Sequence, residues 1–120
     1  MIVAKRFSDG EILLGIHLTE LRLNFVQQFK FSPHRQWKAD FYLPDERILI
    51  ECEGATGYFK NPKGGVTLGG RHSKEKGLEA DCVKYNTAQM LGYKVLRFSS
   101  KQIGRGIAKE FLNHWIGRTL

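Results

Sequence analysis

The sequence has few of the usual anchors for a soft metal or a covalent framework. Its two cysteines, Cys52 and Cys82, lack metal-ligand spacing. They read as small buried hydrophobes in a reducing compartment rather than as a zinc site or a disulfide. His17, His34, His72 and His114 are scattered without zinc-like spacing. The glycines never take the phosphate-loop order that ends in Lys-Ser/Thr and opens a helix. No apolar stretch approaches the ~18 residues of a membrane span, and the run before Phe7 is too short for the apolar core of a signal peptide. A soluble, intracellular, cytoplasmic protein without a membrane partner is expected. Repeats and linker-like segments are also absent, so residues 1–120 read as a single domain large enough for a core. Acid excess is missing too: 19 Lys plus Arg stand against 12 Asp plus Glu, a net charge of +7. Such a surface attracts a polyanion before any specific contact forms, which makes nucleic acid the leading partner class.

What is present orders into alternating elements. Ser8-Asp9-Gly10-Glu11 has the form of a capping box and opens an apolar helix to about Leu21. Phe25 to Phe31 is a strand candidate followed by the turn signal Ser32-Pro33-His34. A second strand runs from about Gln36 to Leu43. Alternation would put Trp37, Ala39 and Phe41 on one face and Lys38, Asp40 and Tyr42 on the other. Arg47 to Glu53 is the most apolar run, with Ile48, Ile50 and Cys52 inward and Leu49, Glu51 and Glu53 opposite. Residues 54–77 interleave glycines with Lys60, Lys63, Arg71, His72, Lys74 and Lys76. They read as a long basic loop suited to clamping a phosphate backbone. Lys74 to Leu91 reads as a helix ended by Gly92, with Leu78, Cys82, Tyr85 and Gln89 on one stripe and Asp81, Lys84 and Ala88 on another. Tyr93 to Ser99 is a fourth strand. A last helix from Ser100 to Trp115 sets Ile103, Ile107 and Phe111 against the sheet. Helix, three strands, helix, strand, helix is the order of an α/β sandwich with a mixed sheet.

Three carboxylates carry the chemistry. Glu51 and Glu53 share a strand face, and the turn Pro44-Asp45-Glu46-Arg47 would bring Asp40 beside them. Clustered like charges need a cation. Hard oxygen ligands suit magnesium or manganese, which polarises a phosphodiester and lowers the pKa of bound water. The plain alternative is that these acids face solvent and pair with lysines. Against it stands a double acid closing a strand otherwise made of Ile and Leu.

An upstream helix glutamate, an Asp ending a strand of aromatic-polar alternation and an acid-x-acid-Gly ending the next apolar strand resemble the PD-(D/E)XK nuclease superfamily. Its restriction-endonuclease-like core has the order αβββαβ, here with an added C-terminal helix. Arg35 to Phe41, Ile50 to Gly54, Gly69-Gly70-Arg71-His72, Glu79 to Asn86 and Leu91 to Arg97 resemble small phage-type endonucleases. Those are akin to very-short-patch repair and Holliday-junction-resolving enzymes.

The resemblance implies that Asp40 and Glu51 are metal ligands, with the backbone carbonyl of Cys52 a third. Glu11 would hold the first-helix acid position, although a capping-box role explains it equally, and Glu20 is the substitute. The departure is Glu53, where the superfamily has a lysine that orients water and stabilises charge. Lys84, in Asp81-x-x-Lys84, is the replacement candidate, against an i, i+3 pair with Asp81. Lys38 is second. Glu53 would bind a second cation or position water, or simply hold Lys84 or Lys38. Lys38, Lys60, Arg71, His72, Lys74 and Lys76 are candidate phosphate contacts, and His72 is also a candidate acid-base. Trp37 and Trp115 read as core, Tyr58 and Phe59 as stacking candidates. The implied activity is magnesium-dependent cleavage of DNA, branched by preference, by a homodimer. Nicking of mismatched or ordinary duplex and a non-catalytic binding module are the alternatives.

Overall fold

The computed structural model describes residues 7–54, 58–60, 66–68 and 71–117, with side chains described for 7–54 and 77–117. Helix α1 (Asp9–Glu20) is followed by strands β1 (Val26–Lys30), β2 (Lys38–Leu43) and β3 (Ile48–Glu53). Two short strands, β4 (Tyr58–Lys60) and β5 (Val66–Leu68), precede helix α2 (Arg71–Met90). Strand β6 (Lys94–Ser99) and helices α3 (Ser100–Gly104) and α4 (Ile107–Ile116) complete the chain. The main sheet has the order β1-β2-β3-β6, antiparallel except for the parallel β3–β6 pair, and β4 and β5 form a separate antiparallel hairpin. The expected α/β class, mixed sheet, flanking helices and C-terminal helix are all present.

Two apolar layers sandwich the sheet. On one face Phe41, Leu43, Ile48, Ile50 and Phe98 pack against Leu14 and Leu18 of α1, Ile103 of α3 and Ala108 and Leu112 of α4. On the other, Phe31, Ala39, Tyr42 and Leu49 meet Ala88 of α2, with Phe29, Trp37, Tyr93 and Val95 alongside. Tyr93 is the hub of this second layer, meeting the rings of Phe29, Phe31 and Tyr42 edge-on, 5.5 to 6.2 Å between centroids. Strand β3 therefore alternates as its sequence indicates, with Ile48 and Ile50 on one side and Leu49 on the other, because both of its faces are covered.

Four expectations need correction. In β2, Ala39 joins Tyr42 rather than Phe41, so the alternation slips at Asp40. Across the ladder, Gln28 takes φ +55° between the registered pairs Gln27–Phe41 and Phe29–Ala39, so the slip coincides with an unusual backbone on the neighbouring strand. The final helix is broken after Gly104: Gly106 takes φ +78°, and the phase change turns Ala108 and Leu112 inward. Ile107 and Phe111 are consequently half-exposed, and Trp115 is 71% exposed rather than core. Segment 54–77 is not one loop, since it contains β4, β5 and the start of α2, which begins at Arg71 rather than at about Lys74 and so has Gly77 inside it as the Lys74–Leu91 reading implied. One glycine in a helix costs only about 1 kcal/mol relative to Ala. Cys82 is exposed rather than buried, Cys52 is half-buried, and both are free thiols.

Leu14→Ala empties a fully buried site beneath the sheet, and a loss of about 2–5 kcal/mol in denaturant unfolding is expected. Ile16→Ala, on the half-exposed side of the same helix, should change stability by about 0.5 kcal/mol or less.

Candidate functional site

The register of the sheet decides which chain ends meet. Pairing of Leu43 with Ile48 and Phe41 with Ile50 places the start of β2 beside the end of β3, and parallel pairing adds the end of β6. Helix α1 begins at the same place. Ser8 caps it: its hydroxyl accepts the Glu11 backbone N–H at 3.2 Å and donates to Glu11 Oε1 at 3.3 Å. The other Glu11 oxygen, Oε2, accepts from Gln28 Nε2 at 3.2 Å, and the same amide lies 3.5 Å from Asp40 Oδ1. Glu11 thus both supports its cap and faces the cluster. Asp40 Oδ2 accepts the Cys52 backbone N–H at 2.8 Å, taking the place of a ladder bond where β2–β3 pairing stops. That bond ties Asp40 to the backbone immediately after Glu51.

Glu51 is 8% exposed. Lys84 Nζ approaches its Oε1 at 3.3 Å from α2. Burial pushes the Glu51 carboxyl up to about 7; Lys84 works against the shift, and Asp40 and then Glu53 add to it. Burial likewise raises the Cys52 thiol, followed by the charges of Asp40, Glu11, Glu51 and Glu53. The same four acids acting on one thiol show that they share one locality.

Glu53 has a different partner from those anticipated. Its Oε1 accepts from Arg97 Nε at 2.7 Å, so it holds neither Lys84 nor Lys38. Arg97 also lies 3.7 Å from Asp81 Oδ2 and 4.6 Å above the Tyr85 ring. This hub was missed from sequence. Arg97 stands opposite Glu51 in the parallel ladder, and the available signal was an arginine inside an otherwise apolar strand. Lys84 meets Glu51 rather than Asp81, since the stripe Asp81, Lys84 and Ala88 faces the sheet. Glu20 is removed from the cluster: nine residues along α1 from Glu11 it pairs with Lys109 of α4 at 3.1 Å, and a helix rise of ~1.5 Å per residue sets the two far apart. Lys38 is exposed at the start of β2. The side chains of Tyr58, Phe59, Lys60, Arg71, His72, Lys74 and Lys76 lie outside the described ones; by backbone, the first three form β4 and the others begin α2.

The oxygen chemistry of these groups is of the kind a hard divalent ion takes. Asp40, Glu51 and the Cys52 carbonyl offer oxygen only, and magnesium is commonly held by one or two carboxylates with water and phosphate oxygens completing the shell. Among the described residues no group of three or more His, Cys, Asp and Glu side chains is placed to hold a metal ion. No helix among them is long and apolar enough to cross a membrane.

No family model matches this chain, and no curated protein matches it. A solved structure, the catalytic domain of the homing endonuclease I-Bth0305I, is similar in fold: TM-score 0.61, 16% sequence identity, 95% of this chain and 100% of that chain covered. It shows a fold shared with a nuclease domain.

The Glu51 environment predicts a pH signature. A carboxyl whose folded pKa is raised from 4.5 to about 7 binds its proton more tightly when folded, so its contribution is most favourable below 4.5 and is lost as pH rises toward 7. Relative to wild type, Glu51→Gln should gain stability between pH 4 and pH 8, by up to about 3 kcal/mol. Urea unfolding of both proteins at the two pH values measures this; a pH-independent difference would contradict the buried-acid assignment.

Proposed function

We propose that this chain is a divalent-metal-dependent DNA endonuclease that hydrolyses phosphodiester bonds. The observation that carries the reading is the meeting of Asp40 and Glu51 at the end of an apolar strand, with Lys84 delivered to Glu51 from α2. The named activity of the structural neighbour supports the same reaction class. Asp40, Glu51 and the carbonyl of Cys52 would hold magnesium, with manganese as the other candidate. When bound, the ion supplies Lewis-acid polarisation of the phosphate and a more acidic water.

The remaining work falls to the chain. Asp40 is held by the Cys52 N–H through Oδ2, which leaves Oδ1 directed toward Gln28 and Glu11. Glu11 orients that end of the cluster through the shared amide and adds negative charge that favours a cation. Lys84 is the replacement for the missing motif lysine: its ammonium orients the attacking water and stabilises charge developing on phosphate oxygen. Glu53 acts through Arg97, fixing the guanidinium between β3 and α2. His72, Arg71, Lys74 and Lys76 at the start of α2, Lys60 in β4 and Lys38 in β2 are assigned to the DNA backbone.

Branched DNA is the preferred substrate, because a domain this small has little surface for reading bases and a homodimer would set two sites on two strands. The engagement of Glu53 with Arg97, leaving no lysine at that position, favours a second reading, a binding module without catalysis. Cleavage of supercoiled plasmid and of a four-way junction separates the two. With magnesium, wild type should cut and Asp40→Ala, Glu51→Ala and Lys84→Ala should fall by about 10²–10³-fold while remaining folded; chelator should abolish cutting. Junction binding without cutting at any metal concentration would select the module, and faster cutting of linear duplex would retract the branched preference.

A further inference from the structure

The placement of acids along the chain is uneven in a way that the cluster does not explain. Twelve acids in 120 residues average one in ten, yet none occurs from Leu21 to Ala39 or from Gly54 to Lys74. The first run ends directly on Asp40 and the second begins directly after Glu53, so an acid-free basic segment adjoins the cluster on each side. The second is the basic segment already assigned to DNA. The first contains Arg22, Lys30, His34, Arg35 and Lys38, and only Lys38 of these has so far been given a part.

The sheet register brings most of that run to the cluster. Lys30 pairs with Lys38 and Phe29 with Ala39, so the β1–β2 loop, residues 31–37, projects from the same end of the sheet as Asp40 and Glu51. A strand rise of ~3.3 Å per residue puts the Lys38 backbone roughly 7 Å beyond that of Asp40, within reach of phosphates beside a scissile one. Lys30, His34, Arg35 and Lys38 are exposed, and among the described residues none forms an ion pair. Lys84, Arg97 and Lys109, by contrast, are all paired to acids.

The loop is also braced. Phe31 and Ser32 are buried, and the Ser32 hydroxyl accepts the His34 backbone N–H at 3.2 Å. Trp37 stacks with Phe31 at 6.2 Å between centroids and carries the Arg35 guanidinium 5.4 Å above its ring. Residues 30–36 outline a concavity of about 480 Å³, with room for a phosphodiester group. Cations held in place before binding lose less conformational entropy when a ligand arrives.

We propose that the β1–β2 loop is an arm of a duplex-DNA clamp, with Lys30, Arg35 and Lys38 on the phosphate backbone. This rests on the endonuclease reading for the identity of the ligand. Phosphate contacts release counterions, so each one removed lowers the magnitude of the slope of log affinity against log salt by about 0.9.

The test is fluorescence anisotropy of labelled short duplex DNA in chelator, over a series of salt concentrations, with folding checked by thermal melting. Lys30→Ala, Arg35→Ala and Lys38→Ala should each weaken binding about three- to tenfold and reduce the slope by about 1, and the triple variant by about 3. Lys94→Ala removes the same charge at the opposite end of β6 and should leave the slope unchanged. A folded triple variant that binds with the wild-type slope overturns the clamp. So does a Lys94→Ala effect as large as the loop variants', which reduces them to bulk charge. Tighter binding of duplex RNA than of the same DNA overturns the ligand. Wild type that binds but never cuts retracts only the endonuclease reading, and the slopes still decide the arm.

Discussion

A carboxylate has to be accommodated in the interior of this sheet, and much of the architecture around it follows. Glu51 continues a run in which Ile48, Leu49 and Ile50 are 7%, 1% and 0% exposed, where an unpaired charge would cost several kcal/mol. Lys84 supplies the compensation from α2. That helix contributes one buried side chain among its described residues, Ala88, while Leu78, Val83 and Met90 are exposed. Its position on the sheet therefore owes much to polar contacts: Lys84 on Glu51, Asp81 near Arg97, and Tyr85 beneath the same guanidinium. The cluster and the docking of α2 are one electrostatic problem solved once.

Much of this was legible in the residues. Strand β3 could be read from its alternation because each face has its own apolar layer, and the capping box at Ser8 located the start of α1 within a residue. Asp40, Glu51 and Lys84 could be chosen by spacing and by resemblance, and the structure brings the three together. Their roles are chemistry that spacing cannot supply. Arg97 was not legible in the same way, since its partner lies 44 positions earlier and only the parallel register makes them neighbours. The slip at Asp40 was hidden because it goes with the backbone of Gln28 on another strand, which the spacing within β2 does not reveal. The break before α4 was masked by an i, i+4 pattern that runs across Gly106 without showing that the helix stops there.

The glycine-rich segment shows the opposite bias. Its composition suggested irregular structure throughout, but glycine disfavours a helix by only a small amount per residue, and Arg71 to Met90 is helical with Gly77 inside it. Basic residues expected in a loop thus stand on a rising helix that also carries Lys84.

The parallel pairing of β3 with β6 carries a consequence for biosynthesis. Strand β3 is complete at Glu53, yet the neighbour that covers its second edge begins only at Lys94. Until the ribosome has released that far strand, the edge of Ile48 to Glu53 has no backbone partner from β6, and nascent chains carry an open, apolar strand border of the kind that invites mispairing. Glu51 and Glu53 close this strand, so two like charges stand at the end of that open border.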